Sequence, residues 1–465
     1  MNPAPRDEHA PYDSDALLHG WLSESANNQL QRHIVRVDAR AIADAHLGVV
    51  EHAALMLERN NGRVHVLYAG PGAAVPGDLT HPSIPVLTLR DHLLMPALVN
   101  AHTHLDLTHI GPQPHEPGDG FVRWVDMIRN ARATADEKIA QHVRLGVEKS
   151  LAGGVLAVGD IAGAPAGRLT EAPARTLATS PLKGVSFLEF FGIGTNAPAA
   201  IQRVGAFLRD RAPSLMESIR SSGIRLGLQP HATNTIDLAV YRWVARAALE
   251  SGLPLSTHLA ETPEERQFIM AGTGPQREML ERFGIWDDTI LQVLGKGNHP
   301  IQHLRPVLDM CPMLVAHVND ATDQGIQALA ETKASVAYCP RASRYFNAAA
   351  HFGPHRYRDM LQAGVNVCLG TDSIVNLDTP HRMSTLDEMR LLEQEHAHDP
   401  AQLIAMATTN GASALGLDPE AFSIATGSTP AGIIAIELDR TETNAEPWAC
   451  VMRSNTAPTW AFRSS

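Results

Sequence analysis

The sequence predicts an α/β fold: a (β/α)8 TIM barrel with a small β-sandwich domain formed from both chain termini. Three observations predict it. Between about Met95 and Ile424 a short apolar run of strand length recurs eight times, each followed by polar residues and a longer amphipathic stretch. The runs are apolar on both faces, as strands of a parallel sheet covered by helices must be, and eight such units close into a barrel. The flanks instead carry short alternating runs separated by Gly, Pro and Asn, the pattern of a half-buried antiparallel sheet. The expected division is 1–94 and 425–465 for the terminal domain and 95–424 for the barrel.

The eight strand candidates are Pro96–Ala101, Val155–Asp160, Val185–Phe190, Ile224–Gln229, Leu253–His258, Met313–Val318, Ala334–Cys339 and Asn366–Thr371. Helices are expected over Phe121–Ser150, Ala199–Ser222, Ile236–Ser251, Asp320–Thr332 and Leu386–His396. The longest insertion, Thr262 to about Asp309, follows the fifth run and is placed to wall the site. In the flanks, His33–Asp38, Ala53–Leu57, Val64–Ala69 and Ile433–Leu438 read as strands.

Composition narrows the function. With 465 residues, 44% hydrophobic and 19% charged, the chain can bury a sizeable core. A net charge of −12 without a Lys/Arg run leaves no electrostatic footprint for nucleic acid or an anionic membrane, so a small-molecule substrate is expected. Cys311, Cys339, Cys368 and Cys450 lack short paired spacing, which argues against a disulfide framework or a cysteine zinc cluster. Met1–Ser14 has no basic flank followed by an apolar stretch, so a cytoplasmic location is expected.

The sharpest chemical signal is Asn100-Ala101-His102-Thr103-His104, closing the first run. Side chains two apart on a strand share a face, so His102 and His104 aim into one space. His396 and His398 have the same spacing in a predicted helix, where they diverge by about 200°, and read as surface. A lone His-x-His arises often by accident. Here, however, the fifth run ends in His258 with Glu261 three residues on, the sixth in His317 and the eighth in Asp372. Strand C-termini of such a barrel open onto one face, so these residues converge. His102, His104, His258 and Asp372 are therefore assigned as ligands of one divalent metal ion, Zn2+ first, with Fe2+ or Mn2+ as alternatives.

This set, with Gly370-Thr371-Asp372-Ser373, resembles the amidohydrolase superfamily, in its adenosine, cytosine and guanine deaminase and triazine hydrolase branch. The phrases Gln229-Pro230-His231-Ala232, His258-Leu259-Ala260-Glu261-Thr262 and Cys339-Pro340-Arg341-Ala342-Ser343 are similar to those of aminodeoxyfutalosine and S-adenosylhomocysteine/methylthioadenosine deaminases. The resemblance implies hydrolytic deamination of an aminated purine-type nucleoside or heterocycle. A metal lowers the pKa of water from roughly 15.7 toward ~7. Asp372 accepts the proton, His317 polarises or stabilises, and Glu261 protonates the ring and the leaving amine. His231 is carried over as a substrate-binding residue, with Trp124 a stacking candidate and Arg341 or Arg344 a carboxylate binder. Each has a bland alternative, a core hydrogen bond, packing or a salt bridge.

Binuclear relatives bridge their metals with a middle-strand carboxylated lysine or glutamate. Lys183 sits at the wrong barrel end and Glu189 lies inside an apolar run, so one metal is favoured. Relatives of this kind often form homodimers, although no interface is marked in the sequence. The chain departs from the family where Pro-Tyr-Thr becomes Thr233-Asn234-Thr235 and Pro-Arg-Ser-His becomes Pro340-Arg341-Ala342-Ser343. Neither change touches a ligand or proton carrier, but substrate identity rests on them. Dechlorination or cyclic-amide hydrolysis is the alternative chemistry, and a catalytically silent scaffold the alternative class. Glu261 favours deamination over loss of chloride, which needs no proton.

Overall fold

The computed structural model describes residues 33–60, 62–116, 118–395, 399–439, 441 and 445–463. His396, His398 and the Met1–Ser14 segment lie outside these. The chain divides into two units, the described residues of Met1–Ala97 with Ser423–Ser465, and Leu98–Phe422.

The terminal unit holds β1 His33–Asp44, β2 Gly48–Asn60, β3 Arg63–Pro71 and β4 Val86–Pro96. The barrel strands are β5 Leu98–Thr103, β6 Val155–Ala162, β7 Lys183–Phe190, β8 Ile224–Pro230, β9 Ser256–Leu259, β10 Leu314–His317, β11 Ser335–Tyr338 and β12 Asn366–Leu369. Returning to the terminal unit, β13 is Gly432–Glu437 and β14 Thr459–Arg463.

Alternation builds the terminal sheet: Val35, Val37 and Ala39 on β1 are buried, while Arg36, Asp38 and Arg40 between them are less so. Its hydrogen-bonded order is β14-β13-β4-β1-β2-β3. The sheet is mixed rather than antiparallel throughout, because β1 and β4 run parallel with Val37 opposite Leu87. Alternation sets which face is buried and is blind to strand direction, so the sequence had no means of showing this. Val35, Leu55, Val66, Leu94, Ile433 and Phe462 close the core across all six strands.

In the other unit β5 to β8 form one run of parallel pairs and β9 to β12 another. Parallel bridges Leu228↔Leu255 and Thr103↔Asp372 join the runs at both seams, so the eight strands form a closed (β/α)8 barrel. Every residue of β5, β6 and β9 is buried. Gly159 shows how tightly the strands sit: a Cβ there would lie 2.1 Å from the Ala101 carbonyl oxygen.

Two expected helices are each split. Phe121–Ser150 becomes Gly120–Ala131 and Asp136–Ala152, with Arg132 extended between them. Ala199–Ser222 becomes Ala197–Asp210 and Ala212–Ile219, broken where Pro213 offers no N–H to continue the first helix. The insertion after β9 is largely helical, with Pro263–Ala271, Pro275–Arg282 and Pro300–Leu308. No helix among the described residues is long and apolar enough to cross a membrane.

Candidate active site

The extended backbone of β5 carries His102 into the barrel, and the chain leaves the strand at His104. The turn beyond is held by the Leu105 N–H donating to Oδ1 of buried Asp160 at 3.1 Å. Ligand atoms of His102, His104 and His258 lie within 4.8 Å of one another. Asp372 joins them through a left-handed turn: its φ is +55° and its N–H donates to the His102 carbonyl at 3.0 Å. Its Oδ1 thereby comes 3.4 Å from Nε2 of His104 and 3.8 Å from Nε2 of His102. The four sequence-assigned ligands thus share one pocket, with Asn376 donating to the other Asp372 oxygen.

The donor set fits a metal ion. Both ring nitrogens of His102 and Nδ1 of His104 are buried without a hydrogen-bond partner, a costly state that ligation at a lone pair would relieve. Burial drives the histidines away from the proton. It holds His102 and His104 well below the ordinary imidazole range and lowers His258, which favours the neutral, ligating form. Nδ1 of His258 lies 2.8 Å from the His231 carbonyl. A carbonyl oxygen only accepts, so Nδ1 carries the hydrogen and Nε2 keeps its lone pair.

The residues expected to carry protons stand beside this cluster. The His317 ring is 5.3 Å from that of His102 and 5.5 Å from that of His258, and its Nε2 lies 3.5 Å from Oε1 of Glu261. Burial, reinforced by the charge of Asp372, lifts the Glu261 carboxyl well above the usual range. Burial also raises Asp372 to about 7 and holds His317 well below the imidazole range. Burial thus favours the protonated over the charged form of both carboxyls.

Glu189 and His231 form a second grouping with His258. Nε2 of His231 is 4.0 Å from Oε1 of Glu189, and its Nδ1 shares a 2.7 Å hydrogen bond with the Thr235 hydroxyl. The guanidinium of Arg132, however, lies 3.5 Å from the other Glu189 oxygen and 2.9 Å from Asp106. A fixed positive charge there opposes a second cation.

The remaining substrate-binding candidates fall elsewhere. Trp124 stacks on Phe121, meets Phe346 edge-on, and packs against the cluster of Leu107, Ile128 and Val375. Arg341 is buried and spends its donors inside the protein: Nε to Glu388 at 2.6 Å, Nη1 to Thr379 at 2.8 Å and Asp378 at 3.3 Å, and Nη2 to the Ser384 carbonyl. Its fork is therefore not free for a substrate carboxylate, a correction to the expectation. Arg344 is exposed and pairs with Asp378 at 3.0 Å.

Sequence reasoning did not assign roles to Asp160, Arg132, Glu265, Asn319 or Asn376. Each is polar and buried or half-buried, Asp160 within a barrel strand, Arg132 between two helices and the others in the loops or helices that follow strands, and periodicity gives no sign of which partner it meets.

A closed barrel with a histidine-rich centre flanked by buried carboxyls has the donor set of a metal-dependent hydrolase. The Amidohydrolase family model matches residues 93–460, and the chain belongs to that family. It is an enzyme, a hydrolase of carbon–nitrogen bonds other than peptide bonds. It is 28% identical over 346 residues to aminodeoxyfutalosine deaminase of Deinococcus radiodurans, covering 70% of this chain and 73% of that one. To 5-methylthioadenosine/S-adenosylhomocysteine deaminase of Moorella thermoacetica it is 27% identical over 393 residues, covering 82% and 80%. Its fold matches the crystal structure of an adenosine deaminase from Xanthomonas campestris with bound zinc, with a TM-score of 0.65 at 20% identity and 92% of each chain covered.

Proposed function

We propose that this enzyme deaminates an adenine-type nucleoside hydrolytically, releasing ammonia. The observation that carries the reading is Glu261, half-buried beside His317 and next to the histidine cluster without belonging to it. The deaminase names of the two sequence relatives support the same substrate class.

His102, His104, His258 and Asp372 would hold a divalent ion, zinc in our reading, which supplies the Lewis acidity that makes water a nucleophile near neutral pH. The protein's own residues do the rest. Asp372 takes the proton of the attacking water, and Nε2 of His317 hydrogen-bonds the oxygen as it adds to the ring carbon. Glu261, whose burial favours the protonated form, delivers its proton to the adjacent ring nitrogen, takes up the proton the added oxygen releases as the carbonyl forms, and passes it to the departing amine. The water proton held by Asp372 then restores Glu261. His231, half-buried between Phe191 and His258, lines the pocket and binds the substrate. Trp124 and its aromatic neighbours are proposed as the wall for the nucleoside, while Arg344 contributes at most from the rim.

A cytoplasmic homodimer belongs to the same proposal. Sedimentation of the purified protein tests the dimer. The function itself is tested by ammonia release from adenosine, methylthioadenosine, S-adenosylhomocysteine, aminodeoxyfutalosine, guanine and cytosine with metal present. Turnover of at least one adenine nucleoside is expected, and silence across the panel would shift the weight to a scaffold.

A further inference from the structure

Glu261 is held at both ends of its main chain. Its N–H donates to Oε2 of Glu265 at 2.7 Å, the Ala260 N–H donates to Oε1 of the same carboxylate at 3.0 Å, and its carbonyl accepts from Nδ2 of Asn319 at 3.0 Å. Each partner is itself supported. The Thr233 hydroxyl, from the loop after β8, donates to Oε1 of Glu265, and the Ser343 hydroxyl, from the helix Pro340–Tyr345, donates to Oδ1 of Asn319 at 2.6 Å. All four side chains are buried. Ala260 meanwhile has a φ of +53°, a left-handed conformation that an alanine does not keep unless its surroundings impose it.

We propose that Glu265 and Asn319 are positioning residues that fix where the Glu261 carboxyl points, with Thr233 and Ser343 as their supports. The inference rests on the reading of Glu261 as proton carrier. A carboxyl that must reach a ring nitrogen while staying off the metal has little positional tolerance, and a shift of ~1 Å costs on the order of 10² in rate. Neither oxygen of Glu265 is free for chemistry: one takes two donors and the other takes the Glu261 amide. Thr233 and Ser343 stand where this chain departs from the family phrases, Thr233 for proline and Ser343 for histidine. Both departures therefore end on one hydrogen-bonded chain through Glu261.

The test compares the metal-loaded parent with Glu265→Gln, Thr233→Val, Ser343→Ala and Glu261→Gln. It reads kcat and KM for ammonia release, bound metal, and hydrogen exchange of the Ala260 and Glu261 amides. Glu265→Gln is expected to lower kcat about 10- to 100-fold with KM nearly unchanged, to keep its metal, and to exchange both amides faster. Thr233→Val and Ser343→Ala should lose a few-fold in kcat with smaller gains in exchange, and they carry the test if Glu265→Gln does not fold. Parent-like kcat and exchange in the folded variants would overturn the proposal. If Glu261→Gln itself turns over normally, the proton-carrier reading fails instead, and amide exchange still decides whether the clamp exists.

Discussion

Nε2 of His317 lies 3.5 Å from Oε1 of Glu261, a buried and a half-buried group that meet beyond the ends of adjacent barrel strands. Burial opposes charge on each, lowering the proton affinity of the imidazole and raising that of the carboxyl. Glu261→Gln keeps the shape and removes the transferable proton. Turnover should fall about 10²- to 10⁴-fold while metal content stays at the parent level. Steady-state ammonia release with metal analysis on the same sample checks this, and near-normal turnover would take Glu261 out of the mechanism.

The orphaned nitrogens of His102 sit where a cation would be held, while Arg132 guards Glu189 against a second one. Chelation followed by reconstitution should therefore restore about one divalent equivalent per chain. His102→Ala should bind far less. Two tight equivalents in the parent would contradict the single-metal reading.

Arg341 and Arg344 are three residues apart but differ in surroundings. Arg341 is sealed against Glu388, whereas Arg344 is exposed. Arg341→Met strands a buried carboxylate and should cost about 3–5 kcal/mol of stability. Arg344→Ala should change it by no more than about 0.5 kcal/mol. Urea unfolding of both measures the contrast, and a purely KM-based defect in folded Arg341→Met would return that residue to substrate binding.

His303, in the helix Pro300–Leu308, is lowered from 6.5 to about 4, first by burial and then by Arg242. The unfolded chain takes up this proton before the folded one does. Its contribution is thus complete above pH 6.5 and lost as pH falls toward 4, up to about 3 kcal/mol. His303→Gln should flatten that part of the stability profile. An unchanged acid limb would show that other groups govern it.

The site was legible at its strand ends. His102, His104, His258, His317 and Asp372 each close an apolar run, and a barrel gathers such ends on one face. The break at Arg211–Ala212 was missed, although Pro213 marks it. The break at Arg132 was not legible, because no Gly or Pro announces it: the residue is drawn from helical geometry where it meets Asp106 and Glu189. The parallel pairing of β1 and β4 was invisible for a like reason, being a choice between partners that local alternation permits equally.

What the sequence determined by itself was the class of fold and which side chains gather at the strand ends. Period and spacing are local properties, and a strand end faces the same way in every barrel. Only the tertiary structure decided that Arg341 is a buried tie rather than a ligand hand, and that Glu265 and Asn319 grip Glu261. Hydrogen bonds and ion pairs depend on distances of a few ångströms between residues remote in the chain, such as the 2.6 Å from Arg341 to Glu388, and no periodicity encodes them.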